Sequence, residues 1–182
     1  MNNISSPSEM LDVLQDIQQR SQKSAAKLTQ QDDLHGAWTA IGFRISDNHF
    51  LVPLNETREI FTVPAQITTV PKSEPWVYGI ANLRGELLPL FDLKYFLYGT
   101  PTKVNKRSRI IVNNHPDLYS GLLLDEVFGL KHFQQEPKGH ETLSDSAIST
   151  YITGSIAQQD MNWSVFSFNK LAADFRFLNA AA

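Results

Sequence analysis

From Trp38 onward the apolar positions fall two apart. Ile41, Phe43 and Ile45 alternate with small or polar residues, Ser46-Asp47-Asn48 interrupts them, and Phe50, Val52 and Leu54 resume the alternation. A period of two places alternate side chains on one face of a strand, so this stretch predicts a hairpin. Pro53 carries no backbone donor and marks its strand as an edge or a bulge. Thr57–Val63 reads as a further extended segment, and Pro64, Pro71 and Pro75 leave no room for a long helix. Val77–Leu83 and Leu87–Phe91 read as two strands around an Arg84-Gly85-Glu86 turn. Asp92 then reads as the N-cap of a short helix (Leu93, Phe96, Leu97) that Gly99 ends. Arg109–Asn113 and Tyr119–Leu124 are predicted strands, with Val127, Phe128 and Leu130 continuing the same sheet after a break at Asp125-Glu126. Gln134–Ser149 reads as a loop. Tyr151–Ile156 and Asn162–Phe168 form a last hairpin, and Leu171, Phe175 and Leu178 a closing helix. No strict repeat of residues runs through the chain. Many short strands separated by regular turns predict a sandwich or small barrels.

The first residues follow a different period. Ser6-Pro7-Ser8-Glu9 has the form of a capping box, and Leu11, Leu14 and Ile17 follow at helical spacing. This predicts an amphipathic helix from Pro7 into the twenties and a polar linker through Gln30–Asp33. The expected division is an N-terminal helix and linker over 1–34 and one domain over 35–180, with the helix an accessory arm.

Composition narrows the chemistry. The chain has 182 residues, 42% of them hydrophobic, and a formal charge of −3. That is enough for one domain or two small barrels sharing a core. A sequence pI of about 5.9 gives no bulk attraction to nucleic acid or an anionic membrane. The absence of cysteine excludes disulfides, thiolate metal sites and cysteine nucleophiles. No basic and apolar leader precedes the first helix, and no apolar run reaches the roughly 20 residues that span a bilayer. The expected location is therefore the cytoplasm, without direct membrane insertion. His35, His49, His115, His132 and His140 include no pair three or four apart, so they read as surface or turn histidines. Neither a nucleophile elbow nor a phosphate-binding glycine loop is present. Asp125-Glu126 reads as a solvated strand end whose carboxylates point to opposite faces. Lys103, Lys106, Arg107 and Arg109 read as a solvated basic loop, without interleaved aromatics for base stacking. The expectation is no enzyme, no metal and no cofactor.

The stretch from Val70 to Leu93 carries the most identity. Gly79, Asn82, Leu83, Arg84 and Gly85, followed by Pro89, Asp92 and Leu93, resemble the central signature of the CheW family of chemosensory coupling proteins. Phe50–Leu54 with Arg58-Glu59-Ile60, Gly121–Val127 and Tyr151-Ile152-Thr153-Gly154 resemble its other strands in the same order, so the resemblance covers roughly 38 to 178. The wording of Trp76–Asn82, with Trp38 and the N-terminal helix, is similar to the PilI-type branch, which serves type IV pilus twitching motility. Thr57 and Lys72 depart from the family pattern, which has valine and glycine there. The resemblance implies two intertwined five-stranded SH3-like β-barrels. It implies an adaptor that binds the regulatory domain of a CheA-type histidine kinase and the cytoplasmic tip of a chemoreceptor. It places partner binding at Glu59, Gly79, Asn82, Arg84 and Gly85, with Glu59 and Arg84 expected as an ion pair. Other readings are a coupling protein of a flagellar or another chemosensory pathway and a small-barrel nucleic-acid-binding protein.

Overall fold

The computed structural model describes residues 38–116, 118–139, 146–158 and 161–180. The predicted N-terminal helix and its linker lie outside them, as do His35 and His140. Among the described residues ten strands form two five-stranded sheets. In chain order they are β1 (Trp38–Ile45), β2 (Asn48–Pro53), β3 (Thr57–Thr62), β4 (Val77–Leu83), β5 (Glu86–Asp92), β6 (Arg109–Asn113), β7 (Gly121–Leu124), β8 (Glu126–Phe133), β9 (Ile152–Gln158) and β10 (Met161–Phe166). The first sheet has the order β8-β1-β2-β10-β9 and the second β3-β6-β7-β5-β4. The chain starts in the first sheet, builds the second, and returns, which is the interleaving expected of the fold. Among the described residues four short helices join them: α1 (Leu93–Tyr98), α2 (Ser146–Ser149), α3 (Phe168–Ala172) and α4 (Phe175–Leu178). Among the described residues no helix is long and apolar enough to cross a membrane.

Strand alternation sorts the core into three parts. On β1 and β2, Ile41, Phe43, Phe50 and Val52 face a cluster shared with the other sheet, while Ala40 and Leu51 face the first sheet's own cluster with Phe133, Trp163 and Val165. On β6 and β7, Ile111, Leu122 and Leu124 join the shared cluster, while Ile110, Val112 and Leu123 face the second sheet's cluster with Ala81, Leu88 and Leu90. Both faces of these strands are therefore dry. Continuous apolar runs such as Gly121-Leu122-Leu123-Leu124 belong in such a position.

The two sheets repeat one pattern that the residue identities do not show. In each, a hairpin (β1–β2 or β6–β7) pairs antiparallel with one edge strand and parallel with the inner strand of a second hairpin. Bulges recur at matching places. Val77↔Phe91 and Gly79↔Leu90 bracket the extra Tyr78, just as Ile152↔Phe166 and Gly154↔Val165 bracket the extra Thr153. The Asp92 amide donates to the Trp76 carbonyl at 2.8 Å, and the Ser167 amide to that of Tyr151 at 2.9 Å. Thus β1–β5 and β6–β10 are two structural repeats, each giving two strands to one sheet and three to the other.

Several local expectations are corrected. β2 is an inner strand, and Pro53 is tolerated as its last residue, where it opens a short 3-10 turn at φ −53°. The strand after Asp125 does not continue the second sheet; the chain crosses there, and β8 becomes an edge of the first. The predicted loop before Tyr151 contains α2. The C-terminal helix is two short helices, with Phe177 buried and Phe175 and Leu178 turned outward. Asp92 caps α1 as expected, accepting from the Tyr95 amide at 3.0 Å, and it also holds the next loop through the Thr102 amide at 2.7 Å. Gly99 ends α1 in the left-handed region at φ 66°.

Candidate functional site

The β4–β5 hairpin turns on two residues, since Leu83 pairs with Glu86. Arg84 and Gly85 both have positive φ, 52° and 93°, which matches the twist of the flanking strands. A side chain at Gly85 would meet nothing within 4 Å, so glycine is needed there for its backbone freedom and not for space. The Asn82 side chain fixes the turn by accepting from the Gly85 amide at 2.9 Å. The guanidinium of Arg84 reaches Glu59 on β3 at 2.7 Å. β3 and β4 are opposite edges of the second sheet, so this predicted pair ties the two edges together. With Arg84 79% exposed, it contributes only about 0.2–1 kcal/mol. Its effect is positional, holding the turn against β3.

Around this pair lies a charged rim. The bulge between Thr57 and Glu59 places Arg58 over the Tyr119 ring, 5.2 Å from its centroid. Tyr119 is pushed above the usual phenol range, first by partial burial and then by its hydrogen bond to Glu86 and that carboxylate's charge, with Arg58 opposing. Two adjoining clefts, of about 220 and 630 Å³, share Arg58, Glu86 and Tyr119. Leu87 stands beside them, 67% exposed. The sequence reading missed Glu86, Leu87 and Tyr119 as members of this surface. A signal existed: Leu88 and Leu90 take the inward phase of β5, so Leu87 must face out.

Of the five predicted site residues, Glu59, Asn82, Arg84 and Gly85 come together at this turn. Gly79 does not. It is buried at the β4 bulge with φ 140°, and a Cβ there would lie 2.6 Å from the Thr68 carbonyl oxygen. That contact lets the Thr68 backbone exchange hydrogen bonds with Ile80 at 2.8 and 2.9 Å. Lys72, at the family's glycine position, keeps a left-handed φ of 60° despite its side chain.

Elsewhere the polar residues serve the fold. Asp125 and Glu126 are not the solvated strand end expected: Asp125 is buried, Glu126 is half-buried, and both are paired. Asp125 accepts from the Ser46 amide at 2.7 Å and pairs with Lys94 at 3.5 Å, while Glu126 pairs with Arg44 at 3.1 Å and meets Arg107 of the basic loop at 3.8 Å. Glu56, also buried, accepts from the Ser167 hydroxyl at 3.1 Å and the Asn169 amide at 3.1 Å, joining the two repeats. Tyr151, its ring in the shared core, donates to Asp174 and accepts from Arg176 at 3.0 Å. Burial, and then the bond to Asp174 and its charge, push this phenol up to about 12. Burial would raise Asp174, but the hydrogen bonds from Tyr151 and Arg176 hold it below its usual value. Among the described residues no three metal-ligating side chains gather.

Comparison with known proteins gives a consistent set of relatives. Residues 39–176 match the CheW-like domain family. Protein PilI of Pseudomonas aeruginosa is 35% identical over 182 residues, covering 100% of this chain and 99% of that protein. Chemotaxis protein CheW of Helicobacter pylori is 34% identical over 148 residues, 80% of this chain and 88% of that one. The crystal structure of scaffolding protein TtCheW from Thermoanaerobacter tengcongensis superposes with a TM-score of 0.58 at 22% identity, over 71% of this chain and 88% of that one, and so shares the fold.

Proposed function

The chain belongs to the CheW-like family, and from that premise we propose that it is a non-enzymatic adaptor coupling a methyl-accepting chemoreceptor to a CheA-type histidine kinase. Its pathway controls type IV pili and twitching motility. The observation that carries this reading is the 35% identity to Protein PilI along the entire chain. In this reading the protein needs no cofactor, works in the cytoplasm, and is recruited to membrane-bound receptor arrays. Residues 35–180 form the adaptor domain, and 1–34 an arm attached to it.

The contact surface is the β4–β5 turn with its rim. Glu59 and Arg84 hold the turn, Asn82 and Gly85 shape it, and Leu87 supplies an apolar anchor. Gly79 acts through the course of β4. Exposed apolar side chains ringed by charges are the usual anatomy of a protein interface. The test is binding of the full chain to the kinase regulatory domain and to a receptor-tip fragment, beside Arg84→Glu. We expect the wild type to bind both, and Arg84→Glu to weaken at least one by roughly tenfold or more, the size expected for reversing a charge at an interface. Binding to neither fragment by the wild type overturns the adaptor reading. Loss of twitching zones on gene deletion, with swimming intact, separates the pilus pathway from a flagellar one.

A further inference from the structure

Among the exposed large hydrophobic side chains, Phe175 is the most open at 77%, and Leu178, one turn later on α4, is 54% exposed. The helix cannot rotate to hide them. Its inner side is held by Phe177, whose ring lies 4.7 Å from that of Phe91 and 5.5 Å from that of Phe96. Arg176 stacks 5.1 Å from the Phe96 ring centroid and donates to Tyr151 and Asp174. Just beyond α4, the Ala180 carbonyl accepts from the Glu74 amide at 3.0 Å. The apolar face therefore stays outward as a consequence of the packing beneath it.

We propose that this face is covered by the chain's own N-terminal segment, through Leu11, Leu14 and Ile17. The strand register supplies the first argument. Ala40 pairs with Pro53, and β10 runs parallel to β2 with Val165 opposite Leu51. The chain thus enters at Trp38 on the same end of the first sheet at which it leaves through Ser167 into α3 and α4. At ordinary strand spacing and rise, Trp38 and Ser167 are roughly 12 Å apart. Residues 18–37 lie between Ile17 and Trp38, a length of chain ample to return the stripe to α4. The second argument is the match of patterns. Leu11, Leu14 and Ile17 recur at threes in the sequence, and Phe175 and Leu178 present the same spacing. Charge gives a third: Asp12 and Asp16 flank the stripe, and the guanidinium of Arg176, its side chain 63% exposed, flanks the patch. Two other exposed apolar residues, Phe128 and Leu87, fit less well. Phe128 is already stacked on His49 and edge-on to Trp163, and Leu87 belongs to the turn surface. While docked, the segment withdraws α4 from other proteins.

The absence of cysteine in the chain makes the test clean. Leu14→Cys combined with Leu178→Cys in the full chain, mildly oxidised, is expected to give an intramolecular disulfide in most molecules. Leu14→Cys with Leu87→Cys is expected to give little. No cross-link, equal cross-linking of both pairs, or cross-links only between two copies overturns the proposal. A second measurement covers a double variant that folds poorly. In the otherwise unmodified chain, Leu14→Asp should shift the backbone amide signals of residues 175–179 and leave those of 84–88 in place. Unchanged signals at 175–179 overturn it as well.

Discussion

The matching ends of the two sheets share a backbone and differ in chemistry. In the second sheet the bulge residue on the edge strand is Arg58, lying over Tyr119. In the first, the equivalent bulge residue is Phe128, lying 5.5 Å from the ring of His49, with the Trp163 ring 5.7 Å away edge-on. One end is therefore rimmed by Arg58, Glu59, Arg84 and Glu86, and the other is an aromatic stack capped by Lys131, 5.1 Å from the Trp163 ring centroid. The edges also close differently: by the Glu59–Arg84 ion pair in one, and by a neutral bond from the Gln158 amide to the His132 carbonyl at 3.3 Å in the other. Bulges and pairings are fixed by backbone geometry, which many side chains satisfy. The rim is free to diverge because solvent-exposed charges contribute little to stability. A duplicated scaffold can in this way offer two unlike surfaces.

The strongest test of the equivalence is at its paired glycines. A Cβ at Gly79 would lie 2.6 Å from the Thr68 oxygen, and one at Gly154 2.7 Å from the Lys138 oxygen. Both alanine variants should lose stability in denaturant titrations, Gly154→Ala by about 1–3 kcal/mol from the clash. Gly79→Ala should lose about 1–3 kcal/mol more because of its positive φ. A neutral Gly154→Ala breaks the equivalence, and equal losses break the role given to φ.

Glu56 sharpens the comparison at the seam between repeats. Glu56→Ala leaves the Ser167 hydroxyl and the Asn169 amide without their acceptor, and should cost about 1–3 kcal/mol by thermal or chemical unfolding. A loss near zero would mean that the seam is held by apolar packing alone.

Tyr151→Phe keeps the ring and removes the hydroxyl, with an expected cost of about 0.5–1.5 kcal/mol. It also has a pH signature. The folded phenol is raised from 10.0 to about 12, so its contribution is complete below pH 10 and is lost as pH rises towards 12. Asp174 is lowered, so its contribution is present above the ordinary carboxylate value and is lost as pH falls through the lower folded one. The variant should flatten the alkaline arm of a stability-versus-pH curve, and an unchanged arm would remove Tyr151 as its source.

The smallest effect on stability is expected at the rim. Arg84→Ala should change unfolding by less than about 1 kcal/mol, while still weakening binding to kinase or receptor fragments. Phe128→Ser on the first sheet should leave that binding near wild type. Equal losses from both variants would mean that the partners do not distinguish the two ends.

Nearly every strand was legible in the sequence, because alternation over four to eight residues follows from the pleat and needs no knowledge of neighbours. The Arg84-Gly85 turn and the Asp92 cap were legible for the same reason: their chemistry is complete within a few residues. The pairing of Glu59 with Arg84 came from the family signature and not from any local rule. The partnership of Tyr119 with Arg58 and Glu86 was hidden, since it joins the starts of β3 and β5 with a residue just before β7. In α4, a helix of four residues carries too little periodicity to reveal that Phe177, and not Phe175, faces the core.

By itself, then, the sequence determined the strands, the turns, the cap and the family, all of which are written in short-range pattern or in signature residues. Tertiary structure alone decided which sheet each strand joins, the crossing at Asp125, the exchanged repeats, the burial of Asp125 and Glu56 and the ion pairs of Glu126. These depend on pairings between distant segments, where hydrogen bonds between backbones carry the information and leave the side-chain identities almost unmarked.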